Sequence, residues 1–186
     1  MQIRPVAAGD LEGLGEIDGV IESTRYLHLD RMGEGLAVQW KIEERPLRAK
    51  IIEPNALNDE QRFMVRQIAT GIEDGVAQLV EHDGETVALL VAQTDAEHET
   101  LKLIDLRVDY EHRREGLAMG LLYQLIQTAR DHGLRAVAAE SRANNFPANQ
   151  LLAKLDFHLS GIDTHRHSNH DLVKEAITLF WYAALD

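Results

Sequence analysis

The residues with the clearest chemical potential form the segment Arg113-Arg114-Glu115-Gly116-Leu117-Ala118. It lies between a predicted strand over residues 99–109 and the most regular helical pattern of the chain, from Gly116 to about His132. The first residues of a helix present backbone N–H groups without intrahelical partners, together with the positive end of the helix dipole. Gly116 and Ala118 would let an anion approach the backbone, and the arginines add positive charge. The segment predicts a cradle for a diphosphate, although an ordinary helix start with solvated arginines has the same residues.

The elements around this segment are predicted from local patterns. Asp83-Gly84 separates two apolar runs between Val76 and Gln93, which predicts a β-hairpin. After the helix, a strand is predicted over 134–140 and a further helix begins at Asn145, with Pro147 in its first turn. The last two strands are expected at 157–164 and 176–184. The apolar positions of the central helix recur at helical spacing: Leu117, Leu121, Leu122, Leu125, Ile126 and Ala129.

The N-terminal region gives weaker signals. Residues 2–6 suit an edge strand, and Asp10 is predicted to cap a helix that carries Leu11, Leu14 and Ile17. No element is predicted for residues 21–35, which are of mixed polarity.

Two further elements are expected before the hairpin. Residues 36–52 alternate around Trp40 and predict a strand broken by Pro46. Asn58 is predicted to cap a helix through about Ile72, with an apolar side formed by Phe63, Ile68 and Ile72. The whole order predicts a mixed sheet with helices packed on it, in a single domain over residues 1–186.

Composition narrows the classes of function. The chain has 186 residues, a formal net charge of −12 and no cysteine. The negative charge argues against nucleic-acid binding and suits a cationic small molecule. The absence of cysteine excludes disulfides, thiolate metal sites and a cysteine nucleophile. No apolar run approaches a membrane span and no signal peptide is evident, so we expect a cytoplasmic protein.

Two motifs carry a resemblance to a known family. The pattern V-x-x-x-x-R-R-x-G-x-A, from Val108 to Ala118, resembles motif A of the GNAT superfamily of N-acetyltransferases. The segment from Asn145 to Phe157 resembles that family's second cofactor motif, and Ile3-Arg4-Pro5 followed by Asp10 is similar to its usual N-terminus. The resemblance implies an α/β fold with a mixed, mostly antiparallel sheet of roughly six to seven strands flanked by about four helices.

The resemblance also implies an activity, the transfer of an acetyl group from acetyl-CoA to a primary amine by direct attack in a ternary complex. Three shorter features are similar to those of the streptothricin acetyltransferases, which implies a small amine acceptor of antibiotic type. They are Glu44-Arg45-Pro46, Gly161-Ile162-Asp163, and Glu175-Ala176 leading into Phe180-Trp181-Tyr182. A homodimer is compatible with the family.

The family's cofactor contacts can be placed on this sequence. Backbone atoms of the strand before motif A pair with the pantetheine arm, the amides of motif A hold the diphosphate, and Asn145 approaches the pantetheine. For Asn145 an ordinary helix cap is an equal alternative. The predicted cofactor-binding residues are therefore Leu106, Val108, Arg113, Arg114, Glu115, Gly116, Leu117, Ala118 and Asn145.

The sequence departs from the family pattern at two positions. Leu152 stands where the family usually has a tyrosine that protonates the departing CoA thiolate, and leucine has no proton to give. The alternative to an enzyme is therefore an acyl-CoA-binding sensor or scaffold without turnover. Asp156 replaces a glycine at the end of the helix, and aspartate tolerates the left-handed conformation expected there.

The acceptor side is predicted from single residues. Asp105 is the candidate base, sharing a strand face with Leu103 and Arg107, and its alternative is an ion pair with Arg107 or simple exposure. The predicted substrate residues are Trp40, Glu175 and Trp181; burial is the alternative for the two tryptophans, and Glu175 is also a second candidate base.

A group of histidines could form a metal site. His158, His165, His167 and His170 lie near Asp163 and Asp171 in a polar stretch. We prefer a solvated, pH-sensitive loop and expect no metal.

Overall fold

The computed structural model describes residues 1–185. Its strands and helices are β1 (Gln2–Pro5), β2 (Ile21–Glu34), β3 (Ala37–Glu53), α1 (Asp59–Ala69), β4 (Gly75–His82), β5 (Glu85–Asp95), β6 (Thr100–Val108), α2 (Leu117–Asp131), β7 (Ala136–Arg142), α3 (Phe146–Lys154), β8 (His158–Asp163) and β9 (Thr178–Ala184). Seven strands form one sheet in the order β1-β4-β5-β6-β7-β9-β8, and β2 pairs with β3 in a second, two-stranded sheet. The pairs from β1 to β6 are antiparallel and β6–β7 is parallel. The predicted mixed, mostly antiparallel sheet is confirmed, with three α-helices in residues 1–185 where about four were expected.

The chain divides into two compact units. Unit 1 comprises Met1–Val20, Pro54–Ala139 and the residues from Tyr182 on, and unit 2 comprises Ile21–Glu53 and Glu140–Trp181. This division does not test the single-domain hypothesis, which stays a prediction.

Unit 1 is built around β5. Every residue from Val87 to Ala92 is at most 2% exposed, because side chains pack on both faces of the strand. On one face Leu89 and Val91 join a cluster with Val65 and Ile68 of α1. Helix α2 packs on β4, β5 and β6 through its buried positions, which are Leu121, Leu122, Leu125, Ile126 and Ala129.

The hairpin predicted between β4 and β5 is confirmed. Asp83 and Gly84 both have positive φ, 52° and 86°, as a tight two-residue hairpin turn requires.

The predicted N-terminal helix is wrong. Residues Ala8–Asp10 and Gly13–Glu16 form separate 3₁₀ turns, because the glycines in this stretch lower its helix propensity. Asp10 caps no α-helix. Its carboxylate accepts from the Ala7 N–H at 2.7 Å and pairs with Arg4, which holds the pKa of Asp10 below its usual value.

Helix α1 begins as predicted but ends earlier. Asn58 accepts from the Gln61 N–H at 2.8 Å, and the Gln61 side chain accepts from the Asn58 N–H in return. Phe63 and Ile72 are 60% and 71% exposed, so their predicted place on the apolar side is wrong. Ile72 is exposed because the helix ends at Ala69. Phe63 is exposed because it precedes buried Val65 by two residues, which puts it about 200° away around the helix.

Unit 2 contains the long β2–β3 hairpin, of which only part was predicted. In β2 the buried residues Ser23, Tyr26 and Leu29 recur every third position, which hides the strand's alternation. Strand β3 continues through Pro46 because Pro46 faces Arg25 next to a shift of register, where a strand tolerates a missing N–H.

The rest of the structure agrees with the predicted positions of α3, β8 and β9. Asp156 has φ 58°, the left-handed conformation expected after α3. In residues 1–185 no helix combines the length and the apolar character needed to cross a bilayer.

Candidate functional site

The residues predicted to hold a diphosphate form a turn between β6 and α2. We call residues Arg113 to Ala118 the 113–118 turn. Arg114 and Gly116 are both left-handed, with φ 64° and 84°. A non-glycine residue in this conformation costs about 1–2 kcal/mol, so the surrounding contacts must hold the turn in place.

The start of α2 leaves its first amides without capping groups. Gly116 occupies the cap position and has no side chain to accept a hydrogen bond, and the first turn of α2 contains no acidic residue. The first intrahelical bond runs from the Gly120 N–H to the Gly116 carbonyl, at 2.9 Å. A Cβ added at Gly116 would meet no atom within 4 Å. The turn therefore offers donors and open space together, which is the arrangement that binds an anion.

The two arginines of the turn have different surroundings. The Arg113 guanidinium donates to the carbonyl oxygens of Val20 and Val108 and lies 5.1 Å from the centre of the Tyr110 ring. Its side chain therefore ties the turn to the end of β6. Arg114 is exposed, so its charge is the more accessible of the two.

Asp109 supports the turn and was not identified from the sequence. Its carboxylate accepts from the N–H groups of Asp18 at 2.9 Å and Glu111 at 3.1 Å. Burial opposes ionisation, but these hydrogen bonds outweigh it and hold the pKa of Asp109 below its usual range. The sequence feature that could have identified Asp109 is its position directly after a predicted strand.

Leu106 and Val108 lie in the second half of β6, beyond its register with β7. Both residues pair with β5, opposite Leu90 and Ala88. On the other side, the register between β6 and β7 covers Thr100 to Lys102. The backbone of β6 beyond Lys102 can therefore accept an extended ligand as an added strand.

Asp105 forms the ion pair that was its alternative assignment. Arg107 donates from Nε and Nη2 to the two carboxylate oxygens, at 2.6 and 2.8 Å, and from Nη1 to the Asn55 carbonyl at 2.6 Å. The Arg107 side chain is 1% exposed and that of Asp105 is 10% exposed. The predicted role of Asp105 as base stays a prediction, and its carboxylate is already occupied.

In unit 2, Asn145 stands at the cap position of α3 without capping it. Its side chain makes no capping hydrogen bond, while its carbonyl accepts from the backbone N–H and Nδ2 of Asn149. Asn145 therefore occupies the cap position of α3, but its side chain does not cap the helix. The contact of Asn145 with pantetheine stays a prediction.

Asn149 organises a buried polar network that the sequence did not reveal. It is 1% exposed. Its Oδ1 accepts from the Ser141 hydroxyl at 2.5 Å and the Trp181 indole N–H at 3.1 Å, while Nδ2 donates to the Arg142 carbonyl at 2.9 Å. Trp181 is 6% exposed and its N–H is used internally, which disfavours its predicted contact with substrate.

The other predicted substrate residues are accessible to different degrees. Trp40 is 42% exposed and the Arg31 guanidinium lies 5.7 Å from its ring centre. The Glu175 side chain is only 12% exposed, and Arg48 donates to it at 3.2 Å. Glu175 lines a small cavity with Tyr26, His28, Leu29, Leu172 and Ile177, which we call the Tyr26 cavity.

Leu152 and the histidine stretch complete the predicted features. Leu152 is 4% exposed and belongs to the core of unit 2.

In the histidine stretch, Asp171 accepts from the His167 N–H and the Ser168 hydroxyl, which lowers the pKa of Asp171. Throughout the part of the chain that the structure describes, no three His, Asp or Glu side chains are placed to hold a metal ion.

Comparisons with known proteins relate the chain to acetyltransferases. A streptothricin acetyltransferase from Escherichia coli is 32% identical over 75 residues, which are 40% of this chain and only 43% of that enzyme. The fold matches the crystal structure of nourseothricin acetyltransferase, with a TM-score of 0.76 and 20% identity over 100% of this chain and 98% of that one.

A second structure matches equally well. A putative streptothricin acetyltransferase from Bacillus anthracis, solved in complex with acetyl-CoA, gives a TM-score of 0.76 at 17% identity, over 99% of both chains. Residues 39–157 match the sequence profile of the acetyltransferase (GNAT) family, which is more than half of the 186 residues. The resemblance found in the two motifs is confirmed, and the chain belongs to the acetyltransferase (GNAT) family.

Proposed function

We propose that the protein transfers an acetyl group from acetyl-CoA to a primary amine of a small molecule. The observation that carries this proposal is the uncapped start of α2 at the 113–118 turn, which lies in the same unit as the part of β6 beyond its register with β7. The turn suits the diphosphate of coenzyme A, and the backbone of β6 suits its extended pantetheine arm. Their order along the chain matches the order of these groups in the cofactor.

The diphosphate would be held mainly by backbone groups. The amides of Leu117 and Ala118 point out of the start of α2, where the helix dipole also favours negative charge. Arg114 adds an accessible cation beside them, whereas Arg113 holds the turn in shape.

The pantetheine arm would pair with the backbone of β6. Its amides and carbonyls can alternate as donors and acceptors with those of Leu106 and Val108, as in the addition of a strand. In this arrangement the thioester would lie towards the middle of β6.

The reaction would be direct aminolysis. The neutral amine attacks the thioester carbonyl carbon, a C–N bond forms, the C–S bond breaks and CoA leaves as a thiolate. Leu152 cannot protonate that thiolate, so we propose that water does so. Proximity of amine and thioester supplies most of the acceleration in such a step.

The proposed acceptor is a cationic amine of the streptothricin class. Two features support it: the local 32% identity to the E. coli streptothricin acetyltransferase, and the net charge of −12, which attracts cations. A cytoplasmic location, a homodimer and independence of metals stay predictions.

The test is a CoA-release assay with a thiol reagent. The protein has no cysteine, so the reagent reports only the released CoA. We expect acetyl-CoA and streptothricin, or another member of a panel of polyamines and aminoglycosides, to release CoA well above the rate without amine. No release with any amine in the panel would contradict the proposal.

A second candidate function is acyl-CoA binding without turnover, favoured by Leu152. Tight acetyl-CoA binding in calorimetry together with no CoA release would support it, and Leu152→Tyr would then create activity. Under the leading proposal, Leu152→Tyr creates none and destabilises the protein by about 1–3 kcal/mol, because a larger side chain must fit a buried site.

A further inference from the structure

A pocket in unit 1 is formed by the N-terminal segment and α1, and it shares no residue with the 113–118 turn. It is lined by Leu11, Glu12, Leu14, Arg62 and Arg66, which all belong to unit 1. We call it the arginine pocket. Its volume is about 120 Å³, and a cavity of about 150 Å³ admits a benzene molecule, so there is room for a group of about four to six non-hydrogen atoms.

The base of the arginine pocket is apolar. Leu14 is 1% exposed and belongs to the core cluster that includes Val65 of α1. Leu11 is partly buried and packs against the same cluster. Water beside these leucines gains no hydrogen bond from them, so an apolar group is more favourable there than water.

Two arginines of α1 supply the polar side of the pocket. Arg62 and Arg66 are four residues apart, so their side chains project from the same face of the helix. Within residues 1–185, the Arg62 side chain makes one hydrogen bond, from Nε to the Leu57 carbonyl at a long 3.4 Å, and the Arg66 side chain makes none. Most N–H groups of the two guanidinium groups are therefore available to a ligand.

The lack of a carboxylate partner is unusual for arginines in this chain. The formal net charge is −12, and other arginines, such as Arg45 and Arg107, pair with carboxylates. Glu12 lines the pocket but forms no ion pair with either arginine in the part of the chain that the structure describes. Like charges four residues apart on a helix repel each other, and an anion held by both removes that repulsion.

Gly15 allows the Arg62 guanidinium to lie against the N-terminal segment. A Cβ added at Gly15 would lie 2.1 Å from Arg62 Nη2 and 3.1 Å from Cζ. The guanidinium therefore occupies the space that a side chain at this position would fill. Since φ of Gly15 is not positive, the contact depends on the missing side chain and not on the backbone freedom of glycine.

We propose that the arginine pocket is a binding site for a small carboxylate with a short alkyl chain, such as butyrate. The carboxylate accepts hydrogen bonds from Arg62 and Arg66, and the alkyl chain covers Leu11 and Leu14. An inorganic anion gains only the first of these contacts. A cationic amine, the acceptor in the proposed acetyl transfer, is repelled by both arginines, so this site takes a different class of ligand.

The first test is a titration of the full chain, at constant ionic strength, with butyrate, butylamine and inorganic phosphate. The Nε–Hε signals of Arg62 and Arg66 are followed by NMR. We expect saturable shifts with butyrate and a Kd of about 0.1–10 mM, binding of phosphate at least about tenfold weaker, and no saturation with butylamine. Absence of saturation with butyrate would overturn the site, and equal affinity for phosphate would overturn the role of the alkyl chain.

Gly15→Ala tests the position of Arg62, and Gly13→Ala is its matched control. Both glycines lie in the 3₁₀ turn Gly13–Glu16 without positive φ, and a Cβ at Gly13 would meet no atom within 4 Å. Both variants should fold, because Gly15→Ala displaces only the end of a flexible side chain. We expect Gly15→Ala to bind butyrate at least about fivefold more weakly than Gly13→Ala, and equal affinities would overturn the assignment of Arg62 to the site.

Arg66→Gln tests the second guanidinium, with Arg130→Gln as the control. Each arginine is exposed and lies in the last turn of its helix, so both changes remove one charge from a similar position. We expect the Kd of butyrate to rise about tenfold for Arg66→Gln and to stay unchanged for Arg130→Gln. Equal losses would show that butyrate responds to the overall charge of the chain, which would overturn the pocket.

Glu12→Gln tests the sign of the ligand's charge. It removes the one carboxylate that lines the pocket, so an anionic ligand should bind about two- to fivefold more tightly. Weaker binding of butyrate would contradict a site for a carboxylate.

The outcomes are independent of the proposed acetyl transfer. The NMR titration contains no acetyl-CoA, and the CoA-release assay contains no butyrate. A failed titration overturns the arginine pocket and leaves the proposed transferase activity standing, whereas absence of CoA release contradicts the proposed function and leaves the pocket standing.

Discussion

The 113–118 turn of unit 1 and the Tyr26 cavity of unit 2 differ in how their residues are distributed along the chain. The turn is one continuous segment and offers mainly backbone amides. The cavity joins side chains from β2 with Glu175, far away in the sequence. A site made of backbone is visible as a short motif, because a small residue such as Gly116 leaves space beside the amides. A site made of side chains becomes visible only in the fold.

The same difference predicts how each site responds to mutation. The turn should tolerate most changes of side chain except where a side chain enters the space beside Gly116. The cavity should depend on the functional groups of its side chains. Substitutions of buried polar residues in each unit test whether the two units also differ in how much such residues contribute to the free energy of unfolding.

The largest expected effect comes from Asp105→Asn in unit 1. It leaves the Arg107 guanidinium, which is 1% exposed, without its anionic partner, and breaking a buried ion pair costs about 3–5 kcal/mol. Urea unfolding measures the loss, and CoA release at temperatures where the variant is folded measures activity.

A different outcome for Asp105→Asn would change the role that we assign to this residue. An unchanged free energy of unfolding with a large loss of kcat would show that Asp105 is the base predicted from the sequence.

A smaller effect is expected for Asn149→Ala in unit 2. The change leaves the hydroxyl of Ser141 and the indole N–H of Trp181 without their shared acceptor, and buried unsatisfied groups cost about 1–3 kcal/mol. Gln150→Ala, at the exposed neighbouring position on α3, is the control for helix propensity. Equal unfolding midpoints for the two variants would show that the polar network adds no stability to unit 2.

The smallest effect is expected for Asp10→Asn, and it depends on pH. The pKa of Asp10 is lowered in the folded state by its hydrogen bonds with Arg4, so its ionised form stabilises the protein above the unfolded value of 3.8. This stabilisation is lost as the pH falls through the lower, folded pKa. The thermal midpoints of wild type and variant should therefore differ at pH 7 and converge in acid, and a difference that grows in acid would contradict the assignment.

The sequence predicted those parts of the molecule in which local pattern and packing agree. The Asp83-Gly84 hairpin and α2 were found because turn chemistry and helical spacing reflect their final surroundings. The turn at Gly116 was found for the same reason.

The features that were missed depend on distant contacts. Strand β2 was missed because its buried residues recur every third position, and the N-terminal helix was wrongly predicted from the spacing of Leu11, Leu14 and Ile17. The Arg113 guanidinium is held by the carbonyl of Val20, and Asn149 bonds to Trp181. No local spacing predicts partners that lie so far apart in the sequence.

The central claim is that the start of α2 binds the diphosphate of acetyl-CoA, and a pair of matched variants tests it directly. Gly116 and Gly133 lie at opposite ends of α2, both have positive φ, and a Cβ at either would meet no atom within 4 Å. Aspartate tolerates this conformation and adds one negative charge at each position.

The measurement is the Kd of acetyl-CoA by calorimetry for Gly116→Asp and Gly133→Asp. We predict that Gly116→Asp weakens binding at least about tenfold, about 1.4 kcal/mol, while Gly133→Asp binds like the wild type. Equal affinity of the two variants would contradict the claim that the 113–118 turn holds the cofactor.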